Sequence, residues 1–534
     1  MHRGITSKEE ANHFLSPTVE DLNAPYLLSS MDNCVIRLSA ALNDGERMGV
    51  FGDFDTDGLT GAAVLTKGLE NLGGIVFPYV PHRVKEGHGI SQQAIDFFEQ
   101  RKVTLIITVD CGTTSISEIT QASQKGIDTI VTDHHVPMDS LPPAVAIVNP
   151  SLSDSKYPFP QITGVGTALK VMEALYSSLS QEMPNFLYAF CALGTVSDVG
   201  LMKDENRYLT QRGIQAIKSE TILGIDALIR VSGMTKNRLS SEDLSFGIIP
   251  RLNVAGRLQH AELSLDLLLT ENDSQASSLA EKLNALNKTR QTLTDKAIRQ
   301  AKQQVAKSVR ENGNNMPPMI FVGHKSWSPG ILGLIAARLV EEFYRPTVAV
   351  SGSQEIYRAS ARSIPNFNMI EAFKKCDEIF EKYGGHSMAA GFTIKGENLR
   401  QYRENLTVLA QTDVTEESFG SVLDIEQEIS PTWLNQESIS FLNSLEPFGQ
   451  GNPTPTFLSR GMSVLGAKTV GKDKTHLKLT LEKNDYVYDA IAFRQGQSLN
   501  TARGTVDIAY TAGMNYWNGK ETMQLTVQDF KRSD

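Results

Sequence analysis

The chain has 534 residues, 51 Lys+Arg against 61 Asp+Glu, and a formal net charge of −10. At about 100–200 residues per domain this is enough for roughly three to five domains, and 40% hydrophobic with 21% charged residues excludes disorder over most of the length. No apolar run reaches the ~18–20 residues that span a bilayer, the first ten residues hold no signal-peptide core, and Cys34, Cys111, Cys191 and Cys376 form no CxxC pair. A membrane span, a disulfide scaffold and a zinc ribbon are excluded, and the expected location is cytoplasmic. The acidic average argues against nucleic acid only for the surface as a whole, because binding follows local fields.

In chain order, apolar runs at Met48–Gly52, Ile75–Val80, Thr104–Val109, Thr129–Thr132, Val145–Val148 and Leu193–Val196 predict strands, with helices at Thr60–Leu72 and Ile90–Gln100 among them. The alternation reads as βαβ units and a largely parallel sheet. Ligands of such sheets sit beyond the carboxyl ends of the strands. Ala280–Glu311 reads as one long helix with an apolar stripe of Leu283, Leu286, Leu293, Ala297, Ala301 and Val305. From Lys282 to Arg310 it carries eight basic residues and one acid, Asp295. A solvated connector and the basic wall of a nucleic-acid channel both fit.

A second α/β unit is predicted from Pro318 to Glu397, with strands Met319–Val322 and Thr347–Val350 around a helix Gly330–Phe343. Asp413–Gln450 holds eight acids and no Lys or Arg, the composition of a solvated linker. The last segment turns to short strands at Ser463–Ala467, His476–Glu482, Tyr486–Phe493, Val506–Thr511 and Met523–Phe530. Five such strands fit a small barrel of the OB type. Residues 456–534 carry 11 basic residues, 8 acids and eight aromatics, which suits single-strand stacking or simply a barrel core.

The chemistry lies after the strands. Asp53-Phe54-Asp55-Thr56-Asp57-Gly58 crowds three carboxylates, which is costly without a cation. An EF-hand is discounted, since its twelfth loop position is Val64. Asp110, then Asp133-His134-His135, then Asp198 repeat the placement at later strand ends. Carboxylates mixed with imidazoles suit Mn2+ or Mg2+, less often Zn2+ or Fe2+, and a pair of such ions would support displacement at phosphorus. With no P-loop, hydrolysis is the natural reaction class. The glycine-rich turn Gly384-Gly385-His386, Ser360 with Arg362, and Arg251, Asn253 and Arg257 are candidate phosphate contacts, although surface arginines and glycine turns are often only structural.

In this order and spacing, Asp53–Gly58, Asp110, Asp133-His134-His135 and Asp198 resemble the four motifs of the DHH phosphoesterase superfamily, and Gly384-Gly385-His386 resembles the signature of its associated second domain. Pro81-His82-Arg83, Pro250–Arg257, Trp327–Gly330, Ser360–Ser363 and Pro447–Pro453 narrow the resemblance to the RecJ family of bacterial 5′→3′ single-strand exonucleases, over nearly the whole chain.

The resemblance implies the following. Single-stranded DNA is digested from the 5′ end to mononucleotides in recombination and repair, with Mn2+ or Mg2+ as two ions. Asp57, Asp110, His134 and Asp198 look like ligands of one metal, and Asp55 with a bridging Asp110 like the core of the second. Asp53 and Asp133 orient ligands and loops, and His135 meets the scissile phosphate or leaving group. Arg83, Ser360 and Arg362 hold the 5′ phosphate; His386 with its glycines holds nearby ones. The implied partners are single-stranded DNA, single-strand-binding protein and a RecQ-type helicase, and the implied state is a monomer without membrane attachment. The expected domains are an N-terminal extension over 1–40 packed on a DHH domain at 41–270, a connector helix at 271–313, the associated domain at 314–412, an acidic linker at 413–455 and an OB-fold at 456–534. Two rivals stay open: a superfamily phosphodiesterase for nanoRNA or small nucleotides, and an inactive helicase-binding scaffold. The barrel and basic helix weigh against the first, the complete motifs against the second.

Overall fold

The computed structural model describes residues 3–353, 355–414, 420, 422–471, 474–517 and 520–533. The chain divides into two compact units: Ala24–Asp198 with Arg212–Ser421, and Met1–Asn23 with Val199–Gln211 and Val422–Asp534.

The first unit opens on a parallel sheet of β1 (Arg47–Gly52), β2 (Ile75–Tyr79), β3 (Leu105–Val109), β4 (Asp128–Thr132) and β5 (Ala146–Val148), in the order β2-β1-β3-β4-β5. Every residue of β3 is buried, as in a sheet covered on both faces. Helix α1 (Thr56–Asn71) follows β1 and packs against α2 (Gly164–Ser178) and α3 (Phe186–Ser197). The strand expected at Leu193–Val196 is the end of α3. Leu187–Thr195 is buried throughout, so its sequence shows neither the period of a strand nor that of a surface helix. Asp198 therefore caps a helix instead of ending a strand.

A π-helical turn, Leu244–Ile248, leads into α4 (Ile249–Leu258). Helix α5 (Asp273–Glu311) has 39 residues, about 58 Å at 1.5 Å per residue. It starts before the expected Ala280 because the Asn272 side chain caps it, accepting from the Gln275 N–H at 3.0 Å. Ala297, Ala301 and Val305 join a core with β6 (Ile320–Gly323) and α6 (Leu332–Phe343). Leu293, expected on the apolar stripe, is instead 40% exposed. The second sheet continues with β7 (Thr347–Gly352), β8 (Ile356–Arg362), β9 (Phe380–Gly385) and β10 (Ala389–Lys395), ordered β6-β7-β8-β10-β9 and antiparallel after β7. Gly384 and Gly385, expected in a turn, are the last residues of β9.

In the second unit β11 (Gln427–Glu428) pairs with β12 (Phe457–Val470), which begins a closed five-stranded barrel with β13 (His476–Lys483), β14 (Tyr486–Ala492), β15 (Thr505–Trp517) and β16 (Lys520–Arg532). The β12–β15 pairing closes it. The stretch 413–455 is not a bare linker: Asp413 ends a helix, and Leu434 and Ile439 enter the barrel core. Acids on a solvent face hid these few apolar anchors; residues 415–419 and 421 lie outside the described residues. Met1–Asn23 also groups with this unit rather than with the parallel sheet. Arg207 ties it there, with its guanidinium 3.9 Å from the Phe14 ring and donating to the carbonyls of Phe14 and Leu445.

Candidate metal centre and phosphate-binding site

The loop from β1 to α1 folds tightly on itself. Asp55 caps α1 by accepting from the Asp57 and Gly58 N–H groups at 3.1 and 3.3 Å. Gly58 lies so close to the Asp53 backbone that a Cβ there would stand 2.4 Å from its nitrogen. Asp57 is fully buried and accepts from the Gly164 and Val165 N–H groups at the start of α2, at 2.9 and 2.8 Å. Asp110 follows β3 in the left-handed region, φ 60°, a conformation a non-glycine residue holds only when its surroundings impose it. Gly164 faces it, leaving 2.7 Å between an imagined Cβ and that of Asp110. Asp198 completes the set from the end of α3.

Burial and mutual repulsion push these acids up. Asp57 and Asp110 rise well above the usual range, through desolvation and then neighbouring carboxylates. Asp198 rises to about 7 through burial and Asp55. Asp53 rises through burial despite its contact with His88, and its Oδ1 is buried with no hydrogen-bond partner among the described residues. An unpaired buried carboxylate oxygen beside other acids is a mismatch that a cation removes.

The two histidines differ. His134 Nε2 lies 3.1 Å from Asp110 Oδ1 and 4.0 Å from Asp198 Oδ2. Burial and the charge of His135 lower its pKa to about 4, so at neutral pH it is an uncharged imidazole, the form that binds metal. For His135 burial works against the charge, but the 2.8 Å contact of Nδ1 with Asp133 Oδ1 outweighs it and raises the pKa to about 9. For Asp133 the same contact, with donors at Thr113, overcomes burial and lowers it to about 2. Three donor groups lie close enough to hold a cation: Asp57, His134 and Asp198; Asp53, Asp55 and Asp110; and Asp110, His134 and His135. The expected metal residues are thus brought together with Asp110 shared. Asp53, expected only to orient ligands, stands among the donors.

Guanidiniums gather beside this centre. Arg83 lies 4.7 Å over the Phe54 ring. Arg257 donates to the Gly330 carbonyl at 3.2 Å, and Arg362 to Ser360 Oγ at 3.3 Å and the Ala361 carbonyl at 2.8 Å. Burial, then the charges of Arg83, Arg290 and Arg362, push Arg257 down to about 9. The His386 ring lies parallel to that of His135, 6.2 Å away. Gly384 is open, with nothing within 4 Å of an imagined Cβ, whereas Gly385 (φ 141°) serves close approach to Ala390. Two expected phosphate contacts also make hydrogen bonds within the protein. Asn253 accepts from the Thr56 N–H at 3.1 Å and donates to Ser197 Oγ at 3.3 Å, joining the start of α1 to the end of α3. Arg251 donates to Asn284 of α5 and to the Gly247 carbonyl.

Two residues escaped the sequence reading. His88, between Gly87 and Gly89 at positive φ, sets Nδ1 3.2 Å from Asp53; an imidazole between two glycines was the available signal. Arg290 faces Arg251 and Arg257 electrostatically, but in sequence it was one of eight basic residues along a helix.

Family models match the DHH N-terminal domain at residues 47–195, the DHHA1 domain at 316–411 and the RecJ OB domain at 425–529. The parallel sheet, the acid–imidazole cluster and these matches define a DHH phosphoesterase, a hydrolase of phosphodiester bonds. The single-stranded-DNA-specific exonuclease RecJ of Bacillus subtilis is 34% identical over 99% of this chain and 67% of its own length, and that of Salmonella typhimurium 33% over 99% and 94%. The structure of Thermus thermophilus RecJ with Mn2+ superposes with a TM-score of 0.83 at 28% identity, covering 100% of this chain and 75% of that one; the Mg2+ complex gives 0.78. The chain belongs to the RecJ exonuclease family.

Proposed function

We infer that this chain hydrolyses single-stranded DNA from the 5′ end to mononucleotides, with Mn2+ or Mg2+, in DNA recombination and repair. The observation that carries the reading is an acidic cradle with an orphaned Asp53 oxygen set beside crowded, partly desolvated arginines. One half calls for cations, the other for a polyanion.

Asp57, His134 and Asp198, with Asp110 3.1 Å from His134, would hold one divalent ion, and Asp53, Asp55 and Asp110 the other. When bound, the ions supply an activated water and stabilise charge at phosphorus. Arg83, Ser360 and Arg362 hold the terminal 5′ phosphate, which fixes polarity, while Arg257 and His386 meet neighbouring phosphates. Asp133 aligns the His135 ring and keeps it protonated. Protonated His135 then hydrogen-bonds a phosphate oxygen or gives its proton to the departing O3′ as the P–O3′ bond breaks. Among the described residues no helix is long and apolar enough to cross a membrane, in keeping with a cytoplasmic site of action. The reading names single-strand-binding protein and a RecQ-type helicase as partners and a monomer as the working state. Residues 41–270 and 314–412 act as the catalytic and associated domains, with the barrel as a further DNA-binding domain.

End-labelled single- and double-stranded DNA, carrying 5′-phosphate or 5′-hydroxyl, is digested with each metal. Expected are mononucleotides from the 5′ end of single strands, silenced by chelation, with the 5′-phosphate preference lost in Arg362→Ala. Release from the 3′ end, or equal digestion of duplex, would overturn the reading.

A further inference from the structure

Phe246 is 76% exposed in the first unit, a large apolar ring facing solvent in the middle of a folded segment. It belongs to the π-helical turn Leu244–Ile248. Single π-turns insert a residue that re-aims the side chains around it, and they concentrate at functional sites. The turn is rigidly backed. Leu244, Gly247 and Ile248 are buried, and Met234 packs where a Gly247 side chain would stand, with its Cε 1.6 Å from an imagined Cβ. The exposed ring is thus set on a firm base.

Arginines stand on α4 and α5 nearby, while Glu242 and Asp243 occupy the turn just before the ring. Arg251 reaches back to the Gly247 carbonyl next to the ring, and α5 brings Arg290 into electrostatic contact with Arg251. Arg290 Nε is buried and has no hydrogen-bond partner among the described residues. Phe246 lies seven residues before Asn253, which touches the metal loop at Thr56. Seven residues are about 10 Å along a helix, roughly two turns. An aromatic face with guanidiniums beside it, at that remove from a phosphodiester centre, has the make-up of a single-strand stacking platform.

We propose that Phe246 stacks a nucleobase of the bound single strand while Arg251 and Arg290 hold the adjoining phosphates. The proposal rests on the function inferred above and assigns the part of the strand lying away from the metal centre.

Binding of a 5′-phosphorylated oligonucleotide of about 12 nucleotides, and of a dinucleotide, is measured in the hydrolysis-deficient Asp110→Ala protein. Phe246→Ala, Phe246→Leu and Phe246→Trp are added in turn. The ratio of long to short affinity should fall at least about fivefold in the Ala and Leu variants. Trp should restore it, and 2-aminopurine placed several nucleotides in from the 5′ end should lose its stacking quench in the Leu variant. Equal ratios in all variants, or full rescue by Leu, overturn the stacking role while leaving the exonuclease reading standing. Failure of wild-type protein to digest single strands brings down both.

Discussion

Asp110 concentrates the demands of the site in one residue. It holds a left-handed backbone, faces Gly164 with no room for a larger residue, lies 3.1 Å from His134, and joins two of the three donor groups. Asp110→Ala is expected to reduce hydrolysis at least about a thousandfold while single-strand affinity changes little, because the proposed phosphate contacts are arginines outside the acidic cluster. Single-turnover rates and binding isotherms with excess Mn2+ check this; retained hydrolysis would remove Asp110 from the metal site. The Asp133–His135 pair gives a second residue-scale expectation. The folded pKa of His135, about 9, exceeds the ~6.5 of an unfolded histidine. Its contribution to stability is therefore complete below pH ~6.5 and disappears as pH rises through about 9. Asp133, at about 2 against ~3.9 unfolded, contributes above pH ~3.9 and loses this as pH falls through about 2. The stability gap between wild type and His135→Gln should narrow from pH 6.5 to 9 in urea unfolding with chelator present. A gap independent of pH would deny the charged pair.

Among the elements, α4 does the joining. Asn253 links the Thr56 N–H at the head of α1 to Ser197 at the foot of α3, so one amide holds the segments bearing Asp55, Asp57 and Asp198 in register. Asn253→Ala should weaken Mn2+ affinity about tenfold, read as the metal concentration for half-maximal rate, with the rate at saturating metal much less affected. A fall in saturated rate with unchanged metal dependence would return Asn253 to phosphate binding. This joining role was not legible in the sequence, because Asn253 and Ser197 are 56 positions apart and an amide near arginines reads as a phosphate contact. The carboxyl-end acids were legible, since Gly52, Val109 and Thr132 end short apolar strands whose next residues must face the sheet edge. Asp198 lies with Asp57 and His134 as the sequence suggested, but on a helix end instead of a strand end, because a helix buried like α3 carries no polar face to betray its period. The 413–455 stretch failed for the opposite reason, its few anchors Leu434 and Ile439 being outnumbered by solvated acids.

For the whole molecule, a net charge of −10 conceals separate fields. Asp53, Asp55, Asp57, Asp110 and Asp198 crowd one sheet edge, while Arg83, Arg257, Arg290 and Arg362 converge near it in the same unit. Long-range attraction to a polyanion is therefore weak over most of the surface, and affinity must come from a small number of local phosphate contacts. Single-strand binding then depends on salt with a finite slope, log K against log salt losing about 0.7 for each phosphate neutralised. Arg290→Ala and Arg362→Ala should each flatten the slope by about that amount. Phe246→Ala should lower the whole line without tilting it, because stacking releases no counterion. Titrations of labelled single strand from low to moderate salt separate the two effects. An unchanged slope in Arg290→Ala would take α5 out of the phosphate path and leave its basic residues as the solvated face of a connector.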